Sequence, residues 1–148
     1  MKLASIDNGK RDGQLVVVSR DLSRMCSAAD VAPTLQAALD DWSRAAPQLQ
    51  ALADKLEQGA VESTPFSAQE CRAPLARAYQ WLDGSAYLNH VELTRRARGG
   101  EMPPSFLTDP VMYQGASDDF MAACDPITAT SEELGVDLEA EIVVITTD

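Results

Sequence analysis

Basic residues are scarce in this chain: 12 Lys and Arg stand against 23 Asp and Glu, a formal net charge of −11. So acidic a surface repels phosphate backbones and anionic lipid. The one basic cluster, Arg95-Arg96-Ala97-Arg98, is short, so neither nucleic acid nor a membrane is an expected partner. No apolar run approaches the ~18 residues of a membrane span. The opening Met1-Lys2-Leu3-Ala4-Ser5-Ile6-Asp7 lacks the apolar stretch of a signal peptide, which makes the cytoplasm the expected compartment. Cysteine is sparse too. Cys26, Cys71 and Cys124 are odd in number, far apart and without a Cys-x-x-Cys pair, so neither a disulfide framework nor a zinc site is indicated. They read most simply as core or buried-edge thiols. There is one histidine, and no internal repeat or low-complexity tract.

What the chain does have is enough apolar material to fold: 45% of its 148 residues are hydrophobic, sufficient for one domain or two small modules. Lys2 to Ile6 and Gln14 to Val18 flank a glycine-containing turn and predict a β-hairpin. From Pro33, residues Leu35, Ala38, Leu39 and Trp42 recur at helical spacing. Pro47 interrupts that pattern, and Leu49, Leu52, Ala53 and Leu56 resume it before Gly59. Two helices of about three turns each, folded as a helical hairpin, are expected. Residues 60 to 74, with Pro65 and Pro74, read as a linker closing an N-terminal α+β module over 1–74. Tyr79 to Gly115 mixes aromatics, Pro, Gly and polar residues with little regular period, as a site-bearing loop region does. Asp118 to Ile127 reads as a short strand and turn, and Ser131 to Gly135 as a turn leading into a last strand.

That last strand is Val136-Asp137-Leu138-Glu139-Ala140-Glu141-Ile142-Val143-Val144-Ile145, β-branched in its second half and free of Gly and Pro. Alternation puts Asp137, Glu139 and Glu141 on the face of Val143 and Ile145, and both faces look at least half buried. Glutamates two apart on a strand have Cα atoms about 6.6 Å apart on one face, so their carboxylates can converge on one ion. Turned inward, two unpaired carboxylates repel unless a cation lies between them. Oxygen-only ligands suit Mg²⁺, Ca²⁺ or Mn²⁺ rather than zinc. The other arrangement open to them is a solvated strand entrance, with burial starting only at Val143.

His90 lies in Asp83-Gly84-Ser85-Ala86-Tyr87-Leu88-Asn89-His90-Val91-Glu92. Histidine is well suited to take a proton near neutral pH, and Glu92 or another carboxylate could orient it. A structural histidine is the alternative; Asp83 and Glu92, taken singly, read as surface acids.

Together these pieces resemble the fumarylacetoacetate hydrolase family, from its small N-terminal module into the start of its β-rich catalytic domain. Asp137-Leu138-Glu139-Ala140-Glu141 is similar to that family's Asp-x-Glu-x-Glu strand, whose glutamates ligate the divalent metal. His90 falls at the place of the catalytic histidine, and Asp83, seven residues earlier, at that of a metal-ligating aspartate. Pro110-Val111-Met112-Tyr113-Gln114-Gly115 resembles the Pro-x-x-Tyr-x-Gly segment that supplies a substrate-binding tyrosine, which gives Tyr113 that role. Asp125-Pro126-Ile127 sits where the family has a strand-leading Pro-Ile. The chain departs from the family in two places. None of Arg95, Arg96 and Arg98 matches its substrate-contacting arginine unambiguously, and Leu93 stands where some branches have the glutamate of a His-x-x-Glu dyad.

The resemblance implies an α+β chain: a β-hairpin with a helical hairpin over 1–74, then over 75–148 the beginning of a β-roll-like catalytic domain. It implies a divalent cation held by Asp83, Glu139 and Glu141, a small diketo-acid substrate, and a homodimer for the full-length protein. The family's third metal aspartate and catalytic lysine lie beyond the Glu-x-Glu strand. The chain is therefore expected to be the N-terminal part of a C–C bond hydrolase of the kind used in aromatic catabolism, and inactive alone. The rival expectation is a non-catalytic chain or interaction module that needs a separate C-terminal partner chain.

Overall fold

Four consecutive apolar residues, Leu15 to Val18, are all buried, a pattern that only a strand with neighbours on both edges and cover on both faces sustains. The computed structural model, which describes residues 1–116, 119–136 and 138–147, makes them the second strand of an antiparallel sheet. Its strands are β1 (Lys2–Ile6), β2 (Gln14–Val18), β3 (Arg24–Ser27) and β4 (Thr64–Pro65), in that spatial order. The register sets Leu3 opposite Val17 and Val17 opposite Cys26, one apolar row across three strands. Helices α1 (Leu35–Leu39) and α2 (Trp42–Glu57) add Leu35, Ala38, Ala45, Leu49, Ala53 and Leu56 to that core. The fold is α+β, and the expected hairpin forms with its expected ends.

The helices differ from expectation in where they divide. Thr34 caps α1 by accepting a hydrogen bond from the Ala37 N–H at 3.1 Å, and α1 ends after little more than one turn. The break falls at Asp40 and Asp41, and α2 runs straight through Pro47. A proline inside a helix costs about 3 kcal/mol through its missing N–H and ring clash. Burying Leu49 and Leu56 returns about 1.5–3 kcal/mol each, and only an uninterrupted helix keeps both in line with Ala45 and Ala53. Gly59, at φ +68°, ends α2 in a Schellman arrangement: Ala60 N–H donates to Lys55 O and Gly59 N–H to Leu56 O.

β3 was not legible in the sequence, because its placement depends on a side-chain knot. Between β2 and β3, one Asp21 oxygen accepts from the Ser19 hydroxyl at 2.6 Å, the Ser23 hydroxyl at 2.7 Å and the Ser23 N–H at 3.0 Å. Leu22 is held there at φ +61°. These bonds hold the Asp21 carboxyl far below the usual carboxylate range. Within the expected linker, β4 pairs with β3, a 3₁₀ turn spans Ala68–Glu70, and the buried Ser5 hydroxyl donates to Pro74 O at 2.6 Å.

The chain divides into two units, residues 1–76 with 120–148, and residues 77–119. The smaller unit holds a two-stranded antiparallel sheet of β5 (Leu82–Gly84) and β6 (Met112–Gln114), and helix α3 (Leu88–Ala97). α3 arose in a stretch that lacks apolar periodicity, since Val91 is its only buried residue.

The last strand expected does not form among the described residues. Val136 and residues 138–147 belong to no strand, and Leu138, Ile142, Val143 and Val144 are 79–85% exposed. A strand exists only as a member of a ladder, and among the described residues this segment forms no β-ladder, so its β propensity is unused. Asp118 and Asp137 lie outside the described residues. Of the strand and turn expected over 118–127, Asp119 forms a single bridge to Arg77, and Asp125 N–H closes a turn on Ala122 O. Glu132–Leu134 form a 3₁₀ turn, with the Ser131 hydroxyl accepting from Glu133 N–H.

Candidate active site

Asp83 is the middle residue of β5, and the β5–β6 register sets it directly opposite Tyr113. Directly opposed residues of an antiparallel pair project from the same face, so a carboxylate and a phenol 30 positions apart in the chain stand side by side. Both are exposed. The Tyr113 ring meets Trp81 edge to face, with centroids 5.7 Å apart. Trp81 in turn donates its indole N–H to Ala116 O and lies across Gly115, where a Cβ would fall 1.8 Å from the indole Cε2. That contact explains the glycine of Pro-x-x-Tyr-x-Gly: only a hydrogen at position 115 lets the indole close over the strand end. Gln114 joins the framework, its amide donating to Trp81 O at 3.0 Å and accepting from Gln80 at 3.1 Å. Sequence reasoning missed Trp81 as the support of Tyr113; its signal is the two-residue spacing from Asp83, which puts both on one strand face.

His90 lies in the first turn of α3 and is exposed. Only residues 85–87 join β5 to this helix, and Ser85 N–H donates to Val111 O, which extends the β5–β6 contact toward the helix start. Glu92, two residues on along the helix, pairs with Arg96 one turn further, at 2.6 Å. α3 ends at Gly99, φ +71°, with Gly100 N–H bonded to Arg95 O and Gly99 N–H to Arg96 O. That glycine stop, behind a run of good helix formers, is the signal by which α3 could have been found.

Glu139 and Glu141 are exposed on the irregular segment, in the other unit from Asp83, His90 and Tyr113. By donor chemistry the three carboxylates fit a hard divalent cation. Within neither unit do three or more described His, Cys, Asp or Glu side chains gather into a metal site.

Among known sequences, the family profile described as fumarylacetoacetase N-terminal domain 2 matches residues 1–77. The matched stretch holds the four-stranded sheet and both core helices, and stops before Asp83. No curated protein matches the chain. Among the described residues no helix is long and apolar enough to cross a membrane.

Proposed function

The chain belongs to the fumarylacetoacetase N-terminal-domain family, and from that premise we propose that it is the N-terminal part of a metal-dependent hydrolase. Its substrate is a fumarylacetoacetate-like β-diketo acid, in which it cleaves a carbon–carbon bond. The observation that supports this reading is the pairing of Asp83 with Tyr113 beside a short connection to the helix of His90. A metal ligand, a substrate anchor and a base thereby share one small unit.

In this reading Asp83, Glu139 and Glu141 hold the divalent cation. Bound there, it supplies Lewis-acid polarisation of the diketo oxygens. An imidazole nitrogen of His90 takes a proton from water as the water oxygen attacks the substrate carbonyl. The same proton is then available to the carbon released when the C–C bond breaks. The Tyr113 hydroxyl donates a hydrogen bond to a substrate oxygen, and Trp81 fixes the direction of that bond through the ring contact. The physiological assembly is a homodimer in the cytoplasm.

A second reading is favoured by the exposed apolar residues Leu138, Ile142, Val143 and Val144: a docking module whose closing segment pairs with a separate chain. One experiment serves both. The 148-residue chain is assayed for acylpyruvate and fumarylacetoacetate loss with Mg²⁺ or Mn²⁺, alone and with the family's β-rich C-terminal domain added in cis or in trans. No turnover is expected alone, since parts of a catalytic unit act together. Turnover is expected when the domain is joined, and Glu141→Ala or His90→Ala should abolish it. Turnover that survives both substitutions would overturn the site assignment, and binding without turnover would favour the docking module.

A further inference from the structure

Two of the three cysteines, far apart in sequence, meet on one turn. Cys71 directs its thiol to Ser67 O at 3.6 Å, and Cys124 directs its thiol to Ala68 O at 3.8 Å, so both sulfurs sit against consecutive carbonyls of the same 3₁₀ turn. The backbone at Cys71 is pinned: it bridges Ile6, while Asp7 N–H donates to Glu70 O and Arg72 N–H to Ser5 O, each at 2.8 Å. Cys124 is fixed in a closed turn, with Ala122 N–H donating to the Asp125 carboxylate at 2.8 Å and Asp125 N–H to Ala122 O at 3.1 Å.

Backbone pairing brings the two segments together from the other side. Phe120 N–H donates to Ala76 O at 2.8 Å, and Arg77 bridges Asp119 in the same antiparallel register. Followed away from that contact, Cys71 is five residues before Ala76 and Cys124 four residues after Phe120, within one position of facing each other. Cys26 is no competitor, because it is buried in the core row opposite Val17.

We propose that Cys71 and Cys124 are a redox-active thiol pair, which a low-molecular-weight disulfide of the glutathione type oxidises to an intramolecular cystine. The cystine closes the chain around residues 77–119, the stretch that carries Asp83, His90 and Tyr113. The Cys124 thiolate attacks one sulfur of the small disulfide and releases one small thiol. The Cys71 thiolate then attacks the Cys124 sulfur of the mixed disulfide and releases the second. Two protein thiols are oxidised by two electrons in all, and one small disulfide is reduced to two small thiols. Cys124 acts first because it is exposed. Burial pushes the Cys71 thiol up, and Cys124 and Glu70 beside it push the same way, which suits Cys71 to the resolving step.

The test equilibrates the full 148-residue chain with reduced and oxidised glutathione over a range of ratios. Each sample is read by intact mass, maleimide labelling and peptide mapping. The wild type should lose the mass of two hydrogens and both reactive thiols, give one cross-linked peptide pair containing residues 71 and 124, and keep Cys26 reduced. Half-oxidation should need a ratio at least about tenfold less oxidising than that at which C71S takes up glutathione on Cys124, since the second step is intramolecular. C124S, altered only at an exposed position, should fold as the wild type does and form no cross-link. A wild-type chain that stops at a glutathione adduct on Cys124 with Cys71 still a free thiol would overturn the proposal. Disulfide-linked dimers through Cys124 at dilute concentration would overturn it equally.

Discussion

Asp83 faces Tyr113 across the β5–β6 ladder, and the Tyr113 ring is braced from the same face by Trp81, its centroid 5.7 Å away. The brace depends on Gly115, over which the indole lies. Gly115→Ala should displace the indole at an overpacking cost of about 1–3 kcal/mol. In a Trp42→Phe background, where Trp81 is the only tryptophan, its emission should shift to the red and the near-ultraviolet aromatic dichroism should fall. Unchanged spectra would mean that the aromatic contact does not persist in solution.

Two glycines of the β1–β2 turn should respond differently to the same change. A Cβ on Gly13, at φ +66°, would lie 2.7 Å from the backbone oxygen of Ile6, whereas one on Gly9, at φ +76°, would meet nothing within 4 Å. Gly9→Ala bears only the conformational strain, about 1 kcal/mol, and Gly13→Ala a further clash with immovable backbone, for a total of about 2–3 kcal/mol. Urea denaturation should rank the midpoints wild type, Gly9→Ala, Gly13→Ala. Equal midpoints would remove the steric part of the account.

Pro47 is exposed on α2, where it serves no packing purpose and leaves one backbone carbonyl without its helical donor. Pro47→Ala should raise stability by about 1–3 kcal/mol, while Leu49→Ala, two residues on but fully buried, should lower it by about 2–5 kcal/mol. A destabilised Pro47→Ala chain would show that the proline contributes to the fold something other than a missing bond.

The Asp21 knot makes stability depend on acid. Its folded carboxyl lies well below the model-peptide value of 3.8, and Asp7 is lowered as well, chiefly by the Gly9 N–H and also by Arg72. A depressed carboxyl stabilises the fold at pH above its unfolded value and loses that contribution as pH falls through 3.8 toward the folded value. Asp21→Asn should therefore be less stable than the wild type at neutral pH, with the difference shrinking below the ordinary carboxylate range. A gap that stays constant from neutral pH to strong acid would exclude the charged form as the cause.

How far the sequence disclosed this molecule follows from how local each signal was. The β1–β2 hairpin was legible because alternation and a glycine turn lie within adjacent residues, and so was the end of α2 at Gly59. Pro47 misled because a local penalty was read without the continuous buried face of Ala45, Leu49, Ala53 and Leu56 that outweighs it. β3 depends on the side-chain bonds of Asp21 in the turn before it, and β4 on a partner far back along the chain, which no periodicity of their own reveals. In the candidate site, Asp83 and Tyr113 were singled out through motif spacing, but their cross-strand pairing and the Trp81 contact are tertiary facts. The segment around Glu139 and Glu141 has the composition of a strand but forms no ladder among the described residues.

The hydrogen bond from Phe120 to Ala76 has one more consequence. Where an excursion leaves and rejoins its scaffold at neighbouring residues, the scaffold is largely indifferent to how long the excursion is. Each doubling of a flexible loop costs only about 0.6 kcal/mol in closure entropy. Residues 77–119 thus behave as a cassette on a common base. Lengthening or shortening that stretch, which holds Asp83, His90 and Tyr113, should therefore cost the sheet and helices of residues 1–76 little stability.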